Sequence, residues 1–338
     1  MESVLENRDS KSIPYRRSRY FFVSMAILFP ILVALGFTPD YQEILGGKFK
    51  VHWFLHVHGA IMTVWLGIFL AQTLLVARGN VKRHRQLGQT GFVFGILVIL
   101  SLITLIVRAL IVNNPPMPDF QFDILFIQLQ GLVLFAFFFT WGMLARKHAA
   151  AHKRLLLLAS LIIMQAAIDR IRFLPAIHEA LFVRFLYLDL LLIPLFVYDW
   201  RTLKRIHFMT WFGALLICTL QVGIVWGWGS PAWHKFWFNA ISPFVEKVIE
   251  VRITEAQSDQ LIGNYGDAKW HFTISRDAGK LYMQLPGEPK WELGASSDTK
   301  LFVRVTNWKL NFVKNPDGQV TKVINDQVNV VWEAARMR

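Results

Sequence analysis

The sequence is poor in cysteine and in acidic side chains. Its single cysteine, Cys218, lies inside an apolar run, which excludes an intrachain disulfide and a cluster of thiolate ligands. The chain has 23 Asp and Glu against 36 Lys and Arg, which gives a net charge of +13. Most Lys and Arg lie in short segments between apolar runs. This placement is typical of topology determinants in a membrane protein, so we expect no nucleic-acid partner.

Long apolar runs make up much of the chain, which is 54% hydrophobic and has a mean hydropathy of +0.39. Seven runs approach the ~20 residues that cross a bilayer as a helix. They are 20–37, 52–77, 89–112, 122–144, 154–175, 181–199 and 208–228. The predicted fold is an all-α seven-helix transmembrane bundle followed by a small all-β extracytoplasmic domain. Charged residues interrupt the fifth and sixth runs, so a re-entrant pair is the alternative there.

The basic residues alternate between connections. They are concentrated before the first run and in the segments RGNVKRHRQLG, ARKHAAAHKR and RTLKRIH, whereas the opposite connections have only Lys48 and Lys50. The positive-inside rule then predicts a cytoplasmic N-terminus in a bacterial inner (plasma) membrane. An odd number of crossings places residues 229–338 outside. The first run lacks a small-x-small exit, so we expect a signal anchor.

Composition divides the chain into four parts. Residues 1–19 form a cytoplasmic tail, 20–228 the membrane domain, and 229–253 an amphipathic interfacial linker rich in Trp and Phe. In 254–338, polar and apolar residues alternate between turn signals such as RDAG and NPDGQ, which predicts an antiparallel β domain. This domain shows no metal-ligand set and no nucleophile motif, so we expect a binding or structural role.

Polar and charged residues concentrate in the predicted outer halves of five runs. Ionisable groups at membrane depth are costly and usually face the bundle interior or a wet cavity. One hypothesis is a polar ligand cavity beneath the β domain; the other is an ion-pair network in which Asp169 and Asp189 pair with nearby arginines. The candidate residues are His58, Asp123, Asp169, Arg170, Arg172, Arg184, Tyr187 and Asp189.

Several histidines have helical spacing. In HAAAH, His148 and His152 share one helix face, an arrangement that often holds a metal, but two ligands alone make a weak site and no H-E-x-x-H motif is present. The alternative is an interfacial histidine among Lys and Arg. We favour this alternative for His148 and His234.

Three segments carry a resemblance. HGAIMTVW (58–65), HRQLG (84–88) and HKRLLLLAS (152–160) together resemble a family of uncharacterised bacterial multi-helix membrane proteins. The HG-x-x-M-T-x-W opening also looks like that of the ascorbate-linked transmembrane di-haem b cytochromes. That resemblance implies haem b, with candidate axial ligands His58, His84, His152 and possibly His207. In the cytochromes, paired histidines lie at matched depth. Here His58 is near the predicted outer face, whereas the other three lie in loops or at helix ends on the opposite side.

A second resemblance covers residues 256–330. The run YGDAKWHFTISRDAGKLYMQLPGEPKWEL and the later FVKNPDGQV resemble the small β-domain at the C-terminus of beta-lactamase-like serine hydrolases. The catalytic Ser-x-x-Lys domain of those hydrolases is absent. The resemblance therefore implies a roof, a docking surface or a ligand sensor.

Three functions follow as hypotheses. We favour an accessory, binding or sensory membrane protein that works with other membrane or periplasmic subunits, because no complete catalytic constellation is present. The alternative is a membrane oxidoreductase that uses haem b or a transition metal. The third is proton-coupled transport with Asp169 and Asp189 as carriers, although we detect no inverted repeat or broken helix in the sequence.

Overall fold

The computed structural model describes residues 15–48, 50–111, 119–177, 180–244, 249–267, 271–304, 308–327 and 330–337. The expectations for the tail before residue 15 and for the connection at 112–118 lie outside these ranges.

Seven helical segments are long and apolar enough to cross a membrane, as the sequence predicts. Four are single helices: α1 (Tyr15–Leu45), α2 (Trp53–Ala77), α3 (Val81–Ile111) and α4 (Asp119–Leu144). The fifth consists of α5 (Ala149–Ile162) and α6 (Gln165–Ile168), the sixth of α7 (Leu181–Leu190) and α8 (Ile193–Leu203), and the seventh is α9 (Phe208–Gly227). A lipid bilayer is the environment that suits these segments.

Helix α3 begins eight residues earlier than expected, so HRQLG is helical and the prediction of a loop there is wrong. Gly79 has φ +74° and ends α2, where the amides of Gly79 and Asn80 donate to the carbonyls of Val76 and Leu75. This is a Schellman motif. Asn80 then caps α3, because its Oδ1 accepts the amide of Arg83 at 3.1 Å. Because of these two caps, the sharp turn between α2 and α3 takes only three residues, 78–80.

The fifth helical segment is shorter than predicted and ends at Ile168 instead of residue 175. The described part of the connection that follows, 169–177, is non-helical. Side chains of α7 bond to its carbonyls: Arg184 Nε donates to Ile177 at 3.0 Å, and Tyr187 Oη donates to Pro175 at 2.9 Å. These two backbone carbonyls would accept intrahelical hydrogen bonds if the segment were helical. In an apolar environment they need another donor, and the side chains of α7 provide it.

The sixth segment is broken, which the sequence analysis did not detect. Between α7 and α8, the amides of Leu191 and Leu192 donate to Leu188 and Asp189 at 3.0 and 2.9 Å, in i→i−3 bonds. Pro194 stands in the first turn of α8 and has no N–H to continue the α-helical ladder. The break therefore follows from one proline in an otherwise apolar run.

Contacts divide the chain into two compact units, which are described separately. The first comprises residues 1–39, 59–102 and 129–226. Its core is formed by large apolar side chains from the helices α1 to α9. They include Phe29, Trp65, Val98, Phe135, Phe138, Leu155, Leu158, Leu188, Leu195 and Ile217.

The second unit comprises residues 40–58, 103–128 and 227–338 and contains the predicted β domain. After α10 (Pro231–Ile241) and α11 (Glu255–Leu261), an antiparallel half-barrel follows in meander order. Its strands are β2 (Gly263–Gly266), β3 (His271–Asp277), β4 (Lys280–Gln284), β5 (Trp291–Ala295), β6 (Lys300–Val303), β7 (Lys309–Lys314), β8 (Val320–Gln327) and β9 (Val330–Ala335). Burial alternates along β3 and β7, as the polar–apolar alternation predicts.

A further edge strand comes from the connection between α1 and α2. This strand, β1 (Lys50–Val51), pairs with β9 in an antiparallel register, Lys50 opposite Val331 and Val51 opposite Val330. It covers the edge that β9 would otherwise expose. The sequence analysis did not predict this pairing.

Candidate metal centre

The rings of His84 on α3 and His152 on α5 face each other. Their centroids are 6.4 Å apart and their planes are nearly perpendicular, at 83°. Both residues were candidate haem or metal ligands, so the structure brings two of the four together.

The tight turn after α2 positions His84. One ring N–H donates to the backbone carbonyl of Gln72, about one and a half turns before α2 ends. The other nitrogen, Nδ1, is buried and has no hydrogen-bond partner among the described residues. The donor is therefore Nε2, and Nδ1 keeps its lone pair. The Gln72 side chain lies beside Gly88, on the same face of α3 as His84, and its Oε1 is also buried without a partner in this part of the chain.

A short 3₁₀ turn (Ala145–Lys147) between α4 and α5 positions His152. Its Nδ1 donates to the carbonyl of Gly142 at 2.7 Å, which leaves Nε2 with its lone pair. Gly142 permits this approach, because a Cβ there would lie 2.9 Å from Leu156 Cδ2. A larger residue would separate α4 from α5 and lengthen the bond.

The distance between the ring centroids is compatible with a metal held from two sides. Ring nitrogens bind a transition metal at ~2 Å, so two imidazoles on opposite sides of one ion have centroids about 6 Å apart. Each ring is oriented by a backbone carbonyl, the usual outer partner of a metal-bound histidine. Two imidazoles are also the complete set of protein ligands that a six-coordinate haem b requires.

Next to His152 in sequence, Arg154 forms a fully buried ion pair with Asp199 of α8. Arg154 Nε donates to Asp199 Oδ1 at 3.0 Å, Nη2 donates to the same oxygen, and Nη1 donates to the Ala150 carbonyl at 2.7 Å. Asp199 Oδ2 accepts from Thr210 Oγ1 at 2.6 Å and from the amide of His207 at 3.0 Å. This network joins α5, α8 and α9.

His207 belongs to the same network. Its Nδ1 accepts the amide of Met209 at 3.1 Å, at the start of α9. Burial lowers the pKa of His207, and the positive charge of Arg154 lowers it further. The contacts of His207 therefore indicate a structural role: its neutral imidazole accepts a backbone amide at the start of α9.

Sequence analysis missed this network. Arg154 was counted with the basic residues of a connection, although it is 1% exposed, and Asp199 was not singled out. The position of Asp199 in the sequence was one available signal, because a carboxylate at the end of an apolar run needs a cation or several hydrogen-bond donors. The identity of that cation, 45 residues away, was not accessible from spacing.

His58 is not part of the His84–His152 pair. It lies near the start of α2, about four helical turns before Gln72 on the same helix, and is half-buried. The four histidines that the resemblance implied as ligands therefore separate into one facing pair, His207 in the Arg154–Asp199 network, and His58 elsewhere.

The expected polar cavity residues of spans five and six bond mainly to their own surroundings. Gln165 Nε2 donates to Asp169 Oδ1 at 2.7 Å and to the Arg184 carbonyl at 3.3 Å. Arg170 donates to the Ala166 carbonyl at 2.7 Å and lies over the ring of Phe37. Arg172 is exposed. With the bonds of Arg184 and Tyr187 to the connection before α7, these contacts fix the local structure of spans five and six. The polar cavity and the ion-pair network both stay predictions.

Asp189 has neutral partners. Its Oδ1 accepts from Gln221 Nε2 at 3.0 Å, and Cys218 Sγ lies 3.9 Å from its Oδ2. The arginine that we expected beside it is not among its contacts in the described ranges.

Asp123, the last cavity candidate, holds the linker helix α10. Its Oδ1 accepts from His234 Nε2 at 2.8 Å and from the amide of Gly229 at 2.9 Å. Beside it, Trp233 stacks on Phe126 with centroids 3.7 Å apart, and its indole N–H donates to the Phe122 carbonyl at 2.7 Å. His234 therefore has a carboxylate partner, whereas we had favoured a simple interfacial histidine.

The three segments that carry the first resemblance contact one another. Trp65, which ends HGAIMTVW, donates its indole N–H to Ser160 at 3.3 Å, near the end of HKRLLLLAS. HRQLG joins them through the facing pair of His84 and His152. No protein-family model, curated protein or solved structure matches this chain.

Proposed function

We propose that this protein is a membrane electron-transfer protein that holds a transition-metal centre between His84 and His152, with haem b as the favoured form. The observation that carries the proposal is the buried, unsatisfied Nδ1 of His84, in a ring that faces a second imidazole with a free lone pair. A buried acceptor without a partner is costly, and a bound metal offsets that cost.

Local charge supports haem b over a bare cation. Lys82, Arg83 and Arg85 flank His84, and Lys153 follows His152. The exposed Lys82, Arg83 and Arg85 would attract the two propionates of haem b, whereas Lys153 donates to Tyr198 Oη at 2.9 Å.

The roles of the protein residues follow from their contacts. His84 and His152 would hold the group through their ring nitrogens, and the carbonyls of Gln72 and Gly142 would orient the rings and fix their tautomers. When bound, haem b supplies reversible one-electron reduction of its iron. The partners that we propose for such electron exchange are other membrane or periplasmic subunits.

An absorbance spectrum of the detergent-purified protein, oxidised and dithionite-reduced, tests the proposal, with elemental analysis of the same sample. We expect a sharp reduced b-type haem band that is lost in His84→Ala and in His152→Ala. His148→Ala is the matched control, because His148 is exposed and only four residues from His152. A metal without pigment would identify a bare ion at the pair. A colourless, metal-free protein would overturn the metal centre.

An accessory, binding or sensory function is the second candidate. It is supported by the exposed aromatic residues of the linker, Phe236, Phe238 and Phe244, which are 50–71% exposed and favour a headgroup region or a partner subunit. If the purified protein is metal-free, this function becomes the preferred one.

We also propose that the N-terminus is cytoplasmic and that the β domain lies on the opposite side of a bacterial inner membrane. The pairing of β1 with β9 supports an even number of crossings between them, because strands of one sheet lie on the same side. Asp317→Cys, in an exposed turn, should react with a membrane-impermeant maleimide in intact spheroplasts, whereas Lys147→Cys should not. The reverse pattern would invert the topology.

A further inference from the structure

Asp189 lies deep in the sixth apolar segment. It is eight residues, or ~12 Å, from the start of the span Leu181–Leu203. At this depth an ionised carboxylate is costly unless a cation or several strong donors compensate it.

The groups around Asp189 are neutral hydrogen-bond donors. The Gln221 amide, itself buried, donates to Oδ1, and the Cys218 thiol is at Oδ2. Both partners donate to the carboxyl: Oδ1 accepts the Gln221 amide and Oδ2 accepts the Cys218 thiol. Both are neutral, so an ionised Asp189 would have no counter-charge among these partners, and at membrane depth this favours uptake of a proton.

The charged side chains on the helices near Asp189 form bonds to other partners. On α7, Arg184 directs its Nε to the Ile177 carbonyl. At the end of α6, Asp169 accepts the Gln165 amide, and on α8 Asp199 is paired with Arg154. From α9 the titratable group that contacts Asp189 is Cys218.

The junction between α7 and α8 is a further local feature. Asp189 is in the last turn of α7, and its backbone carbonyl accepts the amide of Leu192 in an i→i−3 bond. Leu191 and Leu192 keep right-handed helical angles, so the segment is tightened at this point and continues into α8.

We propose that Asp189 is an intramembrane proton-binding site that takes up and releases one proton, with Gln221 and Cys218 as its hydrogen-bond partners. The step is the protonation of the carboxylate and needs no co-reactant. The site does not depend on the metal centre at His84 and His152.

Infrared difference spectroscopy of the detergent-purified full chain tests this proposal. We expect the wild-type spectrum at neutral pH to contain a carbonyl band of a protonated carboxyl that is missing in Asp189→Asn. The band should disappear reversibly as the pH is raised. Asp317→Asn, in an exposed turn of the β domain, is the control, and its difference spectrum should show only the loss of carboxylate bands.

Two outcomes would overturn the proposal. The first is a loss of carboxylate bands in Asp189→Asn at neutral pH, since Asp189 would then be ionised. The second is a protonated-carboxyl band that persists at every pH at which the protein is folded, since the group would then never release its proton. If Asp189→Asn fails to fold, modification of the wild-type protein by dicyclohexylcarbodiimide, which attacks protonated carboxyls in apolar surroundings, decides the question. Peptide mapping should find the label on Asp189 and not on Asp199, with a yield that falls as the pH rises, and no label on Asp189 would overturn the proposal.

Discussion

Two aspartates in the same helical segment have opposite surroundings. Asp199 is fully buried and bonds to a guanidinium, a hydroxyl and a backbone amide, so its charge is compensated. Asp189, ten residues earlier, has an amide and a thiol. The difference shows that an aspartate in an apolar segment does not always have the same role. Its hydrogen-bond partners determine whether it stabilises helix packing or can exchange a proton.

Removal of the cation from Asp199 should have the largest effect. Arg154→Met leaves a buried carboxylate without its counter-charge, and we expect a loss of ~3–5 kcal/mol in the free energy of unfolding. Denaturant titration in detergent measures it. The double variant Arg154→Met/Asp199→Leu should recover most of the loss, because it removes both charges. If the single variant is as stable as the wild type, the pair does not hold α5, α8 and α9 together.

Asp123 is an intermediate case, because its partner is a histidine. His234→Phe conserves ring bulk but removes one of the two donors to Asp123, and we expect a cost of ~1.5–3 kcal/mol. The rate of limited proteolysis in the linker 229–253 should rise about tenfold or more. Lys235→Gln, which changes an exposed neighbour on α10, should leave the rate unchanged. Equal rates in the two variants would show that the Asp123–His234 bond does not hold the helix.

Asp189→Asn should have a small effect on stability, within ~1 kcal/mol. Asparagine keeps the oxygen that accepts from Gln221 and resembles a protonated aspartate in shape. The same substitution at Asp199 removes the charge that Arg154 needs and should be as costly as Arg154→Met. Unfolding of the two Asn variants under one set of conditions compares them directly. Similar losses would mean that Asp189 is also a structural charge.

The smallest effect should be a pH dependence from His207, in the Asp199 region. The pKa of His207 is lowered in the folded protein. Between the two pKa values, the unfolded chain therefore binds a proton on His207 that the folded state does not bind. Stability should therefore be full above the unfolded pKa of 6.5 and should fall as the pH decreases from there towards the lowered folded pKa. Comparison of wild type with His207→Gln isolates this contribution. An unchanged pH dependence in the variant would contradict the shift.

Hydrophobicity and alternation predicted much of the fold. The runs at 52–77 and 208–228 coincide closely with α2 and α9, because apolar length alone decides whether a segment suits a bilayer. The β domain was predicted because polar–apolar alternation with turn signals is local information. The start of α3 was missed, since basic residues were assigned to a loop although Lys and Arg are good helix formers and Asn80 supplies a cap.

The site was predictable only in part. His84 and His152 were candidates because of their motifs, but their separation from His58 and His207 depends on which turns bring α3 beside α5. Tertiary packing brings together residues that are distant in sequence, such as Arg154 with Asp199 and Asp123 with His234. No local sequence pattern predicts such pairs. The break after Asp189 rests on Pro194, whose effect is hidden within an apolar run.

The edge strand β1 has a consequence for biogenesis. Its partner β9 is about 280 residues further along the chain. The edge of the sheet can therefore be completed only after all the intervening helices have been synthesised. Until then, the edge of β9 that β1 will cover is open to pairing with another chain.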